Sequence, residues 1–241
     1  MAYEMLKSAI MECNNIVFMS GSGFLREIGV PNYRDEQEAY DIELEYGYSP
    51  EDLFSTSFFS TRPEQFFRYY KNKILYLDGK PNNAYYALAR LEQQGKLKTI
   101  ITRSMYGIHQ MAGSKHVLEL HGSIYQNFCM NCGATYPAEY IKNSAGIPHC
   151  AKCQGPIRPN VSLYGDMLNN TIISQAAEAV SNAEMLIVAG THLNSYLSER
   201  LLQYFHGTRL VLINNEYHFS DTNANIIIHE NVSDVLPIVI P

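Results

Sequence analysis

Ile16-Val17-Phe18-Met19, emptying into Ser20-Gly21-Ser22-Gly23, is the stretch on which the fold turns. An uninterrupted apolar strand is one covered on both faces, the habit of parallel sheets, and glycines at its C-terminal end let backbone amides approach a pyrophosphate. The spacing departs from G-x-G-x-x-G, so an ordinary tight turn remains an equal reading of the glycine pair. Upstream, residues 3–14 put Leu6, Ile10 and Cys13 at helical spacing, with Asn14 and Asn15 as a stop and Cys13 as a small core residue. Downstream the apolar design returns: strands are predicted over 97–102, 185–193 and 209–217, with a short one over 161–164. Amphipathic helices are predicted over 82–93 and 171–183, and the tail from 225 docks on the core.

Between these units the chain changes character twice. Residues 35–80 hold Ser49-Pro50-Glu51 and Thr61-Arg62-Pro63-Glu64, each a helix start with proline in the first turn and an acid behind it. Residues 125–157 hold four cysteines and little apolar periodicity. The expected architecture is therefore α/β: a Rossmann-like parallel sheet with helices on both faces, discontinuous over 1–34, 81–124 and 158–241. A helical insertion occupies 35–80 and a small zinc-ribbon-like module 125–157.

Composition narrows the function classes. With 24 acidic against 18 basic side chains the net charge is −6, and no basic cluster tracks a phosphate backbone, so no nucleic-acid partner is expected. The N-terminal stretch does not read as a secretion signal and no segment approaches a membrane span; a soluble, cytoplasmic monomer is expected. The 18 tyrosines and the absence of Trp look like a compositional habit.

Cys129-Met-Asn-Cys132 and Cys150-Ala-Lys-Cys153 are two C-x₂-C knuckles separated by 17 residues. Four thiolates close tetrahedrally around Zn²⁺ at about 2.3 Å each, leaving no vacancy for substrate, so the metal is structural. A segment this polar builds no core of its own, and metal binding supplies its folding energy. His149, beside Cys150, is superfluous once four sulfurs are in place.

Several motifs then fall in one order: Gly21-Ser22-Gly23 with Glu27, Gly29, Val30, Pro31 and Arg34; Pro81-Asn82; Gly107-Ile108-His109 with Ala112-Gly113-Ser114; and Glu119-Leu120-His121-Gly122-Ser123 directly before the knuckles. After the cysteines come Arg158-Pro159-Asn160-Val161, Tyr164-Gly165-Asp166, Gly190-Thr191-His192-Leu193 and Ile213-Asn214. Together they resemble, almost end to end, the sirtuin (Sir2) family of NAD-dependent protein deacylases. The resemblance implies NAD stretched across the C-terminal edge of the sheet. The implied contacts are Gly21, Ser22, Gly23, Glu27, Tyr33, Arg34, Arg103, Ser104, Tyr106, His121, Gly190, Thr191, His192, Asn214, Asn215, Glu216 and Val232. It implies His121 as general base, with Ser104 beside it, and a peptide groove at Val161, Leu163, Tyr164 and Gly165 that takes an acyl-lysine substrate by strand addition. An imidazole suits the base role because its pKa lies near neutrality.

The pattern breaks where the family writes T-Q-N-I-D-G-L-H and this chain writes Thr102-Arg103-Ser104-Met105-Tyr106-Gly107-Ile108-His109. The lost Asn and Asp are, in that family, ribose and carboxamide partners. Each buried polar contact of this kind is worth about 1–3 kcal/mol, or roughly one to two powers of ten in rate. Arg103 either meets an anion in the leaving-group pocket or faces solvent and an acid such as Asp35 or Glu36. His192, where the family has Ser, either contacts phosphate or caps a loop. Three functions stay open: an NAD-dependent protein-lysine deacylase, a relative turned to ADP-ribosyl transfer or NAD hydrolysis, and an impaired NAD- or ADP-ribose-binding module or partner-binding scaffold.

Overall fold

The computed structural model describes residues 2–30, 35–75 and 77–240. Nine strands run through these residues: β1 (Ile16–Ser20), β2 (Leu97–Thr102), β3 (Val117–Glu119), β4 (Gly122–Cys129), β5 (Thr135–Tyr136), β6 (Ile157–Val161), β7 (Met185–Ala189), β8 (Arg209–Ile213) and β9 (Ile226–Ile228). Six form one sheet in the order β3-β2-β1-β7-β8-β9, all parallel. The chain winds outward from β1 to the β3 edge, then returns to the other side of β1 at β7. That is the doubly wound order, and its reversal between β1 and β7 opens a crevice outside the strands' C-terminal ends.

Every residue of β1 and β7 is buried, which is why both read as unbroken apolar runs. Alternation is nevertheless present in three dimensions. Ile16 and Phe18 join one core with Leu6, Leu88 and Leu236 from the helices Ala2–Glu12, Asn83–Gln93 and Val232–Val239. Val17 and Met19 join the other with Ala176, Val180 and Leu201 from the helices Asn170–Ser181 and Tyr196–Leu202. Helices thus cover both faces, as the sequence predicts. Among the described residues no helix is long and apolar enough to cross a membrane.

Pro50 and Pro63 start helices at Pro50–Leu53 and Pro63–Tyr69, within a helical run from Glu36 to Ile74. Its aromatics pack on one another and extend the core on the Ile16 and Phe18 face of the sheet: Phe66 and Tyr70 stack at 5.7 Å and Phe54 faces both. Tyr69, Tyr70 and Tyr85 are fully buried, so part of the tyrosine content is packing material.

Three expected elements differ. The strands predicted to 193 and 217 stop at Ala189 and Ile213; Gly190, at φ +63°, turns the first away. The strand predicted over 161–164 is displaced: β6 ends at Val161, and Tyr164 makes one isolated bridge to Ser55 before Gly165, at φ +91°, reverses the chain. The cysteine region carries more structure than its composition suggests, namely an antiparallel sheet β5-β4-β6 and a helix Ala138–Asn143.

Candidate active site and metal centre

The two knuckles sit at the far end of β4 and just before β6. Their four Sγ atoms lie within 4.8 Å of one another, with Cys129 and Cys153 3.4 Å apart and Cys132 and Cys150 3.6 Å apart. A disulfide needs about 2.05 Å, whereas sulfurs at about 2.3 Å from a tetrahedral zinc stand roughly 3.8 Å apart, so the set fits the ion. The Asn131 N–H donates to Cys129 Sγ and the Tyr136 hydroxyl lies 3.0 Å from Cys150 Sγ, polar support of the kind that steadies metal thiolates. His149 is not in the cluster; its Nδ1 faces the Gln154 carbonyl at 3.2 Å.

The crevice at the switch point has two halves that share Ser22. Gly21 and Gly23 are needed for close approach between loops. A Cβ on Gly21 would stand 2.3 Å from Thr191 Cβ, and one on Gly23 2.7 Å from the Gly190 carbonyl oxygen. Their own N–H groups donate to the Ala189 and Gly190 carbonyls, both at 2.9 Å. These two N–H groups are thus engaged inside the chain, and the absence of a Cβ at either glycine serves the loop-to-loop packing that shapes this wall of the crevice.

One half is polar. Gly190, Thr191, His192, Asn214, Asn215 and Glu216 line it with Gly23 and Glu27. Asn214 is buried and donates from its side-chain amide to the Glu216 carbonyl at 3.2 Å. His192 Nε2 lies 3.2 Å from a Glu216 carboxylate oxygen.

Glu27 does more than line the wall. Its carboxylate accepts the N–H groups of Val232 (2.9 Å) and Ser233 (2.7 Å) and the Ser233 hydroxyl, capping the last helix. Glu27 and Val232, both expected at the cofactor, are thus bound to each other. Glu27→Ala is expected to cost about 2 kcal/mol in denaturant unfolding, the worth of a charged cap with several donors. An unchanged midpoint would show the cap to be idle.

The other half is mostly apolar. Leu25, Val30, Phe54, Met105, Leu163 and Leu168 line it together with Ser22, Arg103, Ser104, Tyr106 and His121. His121 follows the β3 edge, half-buried, and its carbonyl accepts the Ser162 N–H at 2.9 Å, tying it to the 162–166 loop. Ser104 and Tyr106 are buried, and the Ser104 hydroxyl accepts the Tyr106 N–H at 3.2 Å, so this hydroxyl shapes the turn.

In the 161–165 segment Leu163, Tyr164 and Gly165 line the cleft and Val161 is buried at the end of β6. The Leu163 N–H donates to Asp166 and the Tyr164 N–H to the Phe54 carbonyl at 3.0 Å. These two donors are therefore engaged within the chain. Tyr33 and Arg34 lie outside the described residues.

Two further groups, the buried His109 and the half-buried Glu119, were given no role by the sequence. His109 packs among Phe18, Phe24 and Tyr85, and burial pushes its pKa down to about 3, so it is neutral near pH 7. Burial pushes the Glu119 carboxyl up to about 7, against weaker lowering by hydrogen bonds from Gln110 and Gly107. The native chain then binds this proton more tightly than the unfolded one. The stabilisation is complete below the ordinary carboxyl value of 4.5 and is lost as pH rises through 7. Relative to wild type, Glu119→Gln should gain about 3 kcal/mol in unfolding free energy between pH 4.5 and 8. A pH-independent difference would contradict the shift.

Fold and crevice define a dinucleotide-binding α/β protein carrying a four-cysteine metal module. The Sir2 family model matches residues 21–196. The NAD-dependent protein deacetylase of Clostridium acetobutylicum is 43% identical over 98% of this chain and 96% of its own length. That of Clostridium perfringens is 44% identical, covering 96% and 95%. A solved Sir2 structure with a p53 peptide and NAD+ superposes at a TM-score of 0.82 and 30% identity, over 98% of this chain and 96% of that one. The chain belongs to the Sir2 family.

Proposed function

We propose that this chain is an NAD-dependent protein-lysine deacylase, moving an acyl group from lysine to ADP-ribose with release of nicotinamide. The observation that carries the reading is a single crevice at the sheet's switch point, polar beside Gly190, Thr191 and Asn214 and apolar around His121. The polar half suits adenosine and diphosphate. The apolar half suits the nicotinamide ribose and an acyl-lysine side chain, with Phe54, Leu163 and Tyr164 as walls. His121 takes the proton from the ribose hydroxyl that attacks, and its attachment to Ser162 fixes the ring's approach. Leu25, Val30 and Leu168 exclude water from the reacting carbon. Zn²⁺ held by Cys129, Cys132, Cys150 and Cys153 plays a structural part. The chain divides on this reading into the discontinuous sheet domain, the 35–80 insertion and the 125–157 module.

A second reading rests on the 103–106 turn, where the Ser104 hydroxyl is spent on Tyr106 and a tyrosine ring fills the wall. A site so altered suits NAD hydrolysis, ADP-ribosyl transfer or binding without turnover. Mass spectrometry of the products from NAD and an acetyl-lysine peptide separates the readings. O-acetyl-ADP-ribose is the expected product, free ADP-ribose without peptide would indicate hydrolysis, and intact NAD despite saturable binding would indicate a binding module.

A further inference from the structure

The β7 and β8 ends bring together a group of side chains that take no part in the chemistry at His121, although His192 also lines the polar half of the crevice. A ring nitrogen of His192, a ring nitrogen of His218 and a carboxylate oxygen of Asp221 lie within 4.8 Å of one another. Asp221 is only 4% exposed, and its Oδ1 is buried with no hydrogen-bond partner. A carboxylate oxygen withdrawn from water in this way requires a cation or a donor.

The histidines around it are set up as ligands. His192 Nε2 faces the Glu216 carboxylate at 3.2 Å, and with its proton there the Nδ1 lone pair is left, 3.5 Å from the Asn214 amide. His229 Nδ1 donates to the Asn214 carbonyl at 3.2 Å, which leaves its Nε2 pointing at Asp221 Oδ2 from 3.6 Å. Carboxylate-backed and carbonyl-backed imidazoles of this kind are the usual supports of metal-bound histidine. His218 Nδ1 lies 2.8 Å from the Ser220 hydroxyl and 3.2 Å from the Ser220 N–H. Donating its proton to that hydroxyl leaves the Nε2 lone pair, 3.5 Å from the Asn194 side-chain amide, for an ion in exchange for the cap bond and that long amide contact.

We propose that His192, His218 and Asp221, with His229 beside them, form a second metal site for a divalent ion of the Zn²⁺, Co²⁺ and Ni²⁺ class, separate from the four cysteines. Nitrogen and carboxylate donors select such ions, and bond lengths near 2.0–2.2 Å place ligands roughly 3.4 Å apart, reached by small rotations of the two half-buried rings. An ion here ties the 190–195 loop to the β8–β9 connection. On the nucleotide reading above, it also sets positive charge behind the polar half of the crevice; the site itself does not depend on that reading.

The test is metal binding to the zinc-loaded full chain, titrated with Co²⁺ and followed by metal analysis after dialysis and by visible absorption. Wild type is expected to retain one zinc and take up one cobalt with weak visible bands and no near-ultraviolet thiolate-to-cobalt charge transfer. His192→Ser and His218→Asn should each weaken cobalt uptake at least tenfold while keeping the zinc. Circular dichroism identifies any variant that fails to fold, and His192→Ser, at the open rim of the crevice, carries the test if His218→Asn does. Charge-transfer bands alone, absence of a second equivalent, or uptake unchanged in a folded His192→Ser protein would each overturn the proposal.

Discussion

His121→Ala is expected to lower turnover with NAD and an acetyl-lysine peptide by about 10²–10⁴-fold, the usual contribution of a positioned general base. The fall should lie in kcat. His121 stands where the β3 edge meets the 162–166 loop, within the apolar half of the crevice, while the polar groups suited to the nucleotide lie around Thr191 and Asn214. Binding of ADP-ribose should therefore change less than threefold, and KM for NAD should move far less than kcat. Turnover at the wild-type level in the folded variant would remove the base assignment.

Loss of the four-cysteine ion should have the largest structural effect. Apparent zinc binding energies in such modules run to about 10–16 kcal/mol near pH 7, and beside the ion this small sheet is held by a few buried side chains such as Ala138, Ile141 and Ile157. Cys129→Ser with Cys150→Ser removes one ligand from each knuckle. The double variant is expected to lose its zinc and the hydrogen-exchange protection of β4, β5 and β6. The damage should reach the crevice, because Gly122 of β4 pairs with Val161 of β6 immediately beside His121. Activity should drop at least tenfold even though no cysteine lines the cleft. A zinc-free double variant with full protection and activity would show the module to be dispensable.

The parallel sheet was legible because its central strands β1 and β7 are buried on both faces, a condition that writes an unbroken apolar run at 16–19 and 185–189. The metal set was legible because a closed thiolate shell demands a fixed local spacing. Contacts between segments distant in sequence left no such trace. Glu27 reads as a crevice residue from its motif, yet its carboxylate caps a helix more than 200 residues away. Gly21 and Gly23 read as glycines that let the backbone approach a pyrophosphate, and what the sequence did not reveal is that their own amides close onto β7 and the turn after it. The cysteine region hid β4 and β5 because a small sheet folded around a metal needs little apolar alternation. The His192, His218 and Asp221 cluster joins two loops that neither periodicity nor spacing connects, and His192 in place of serine was its one visible sign.

The most direct test of the account counts nicotinamide released and lysines unmasked in the same reaction of the wild-type chain with NAD and an acetyl-lysine peptide. One nicotinamide per freed lysine, with none released when peptide is omitted, is the result expected if the crevice joins the two substrates at His121. Release of nicotinamide that ignores the peptide, or no release at saturating NAD and peptide, would contradict it.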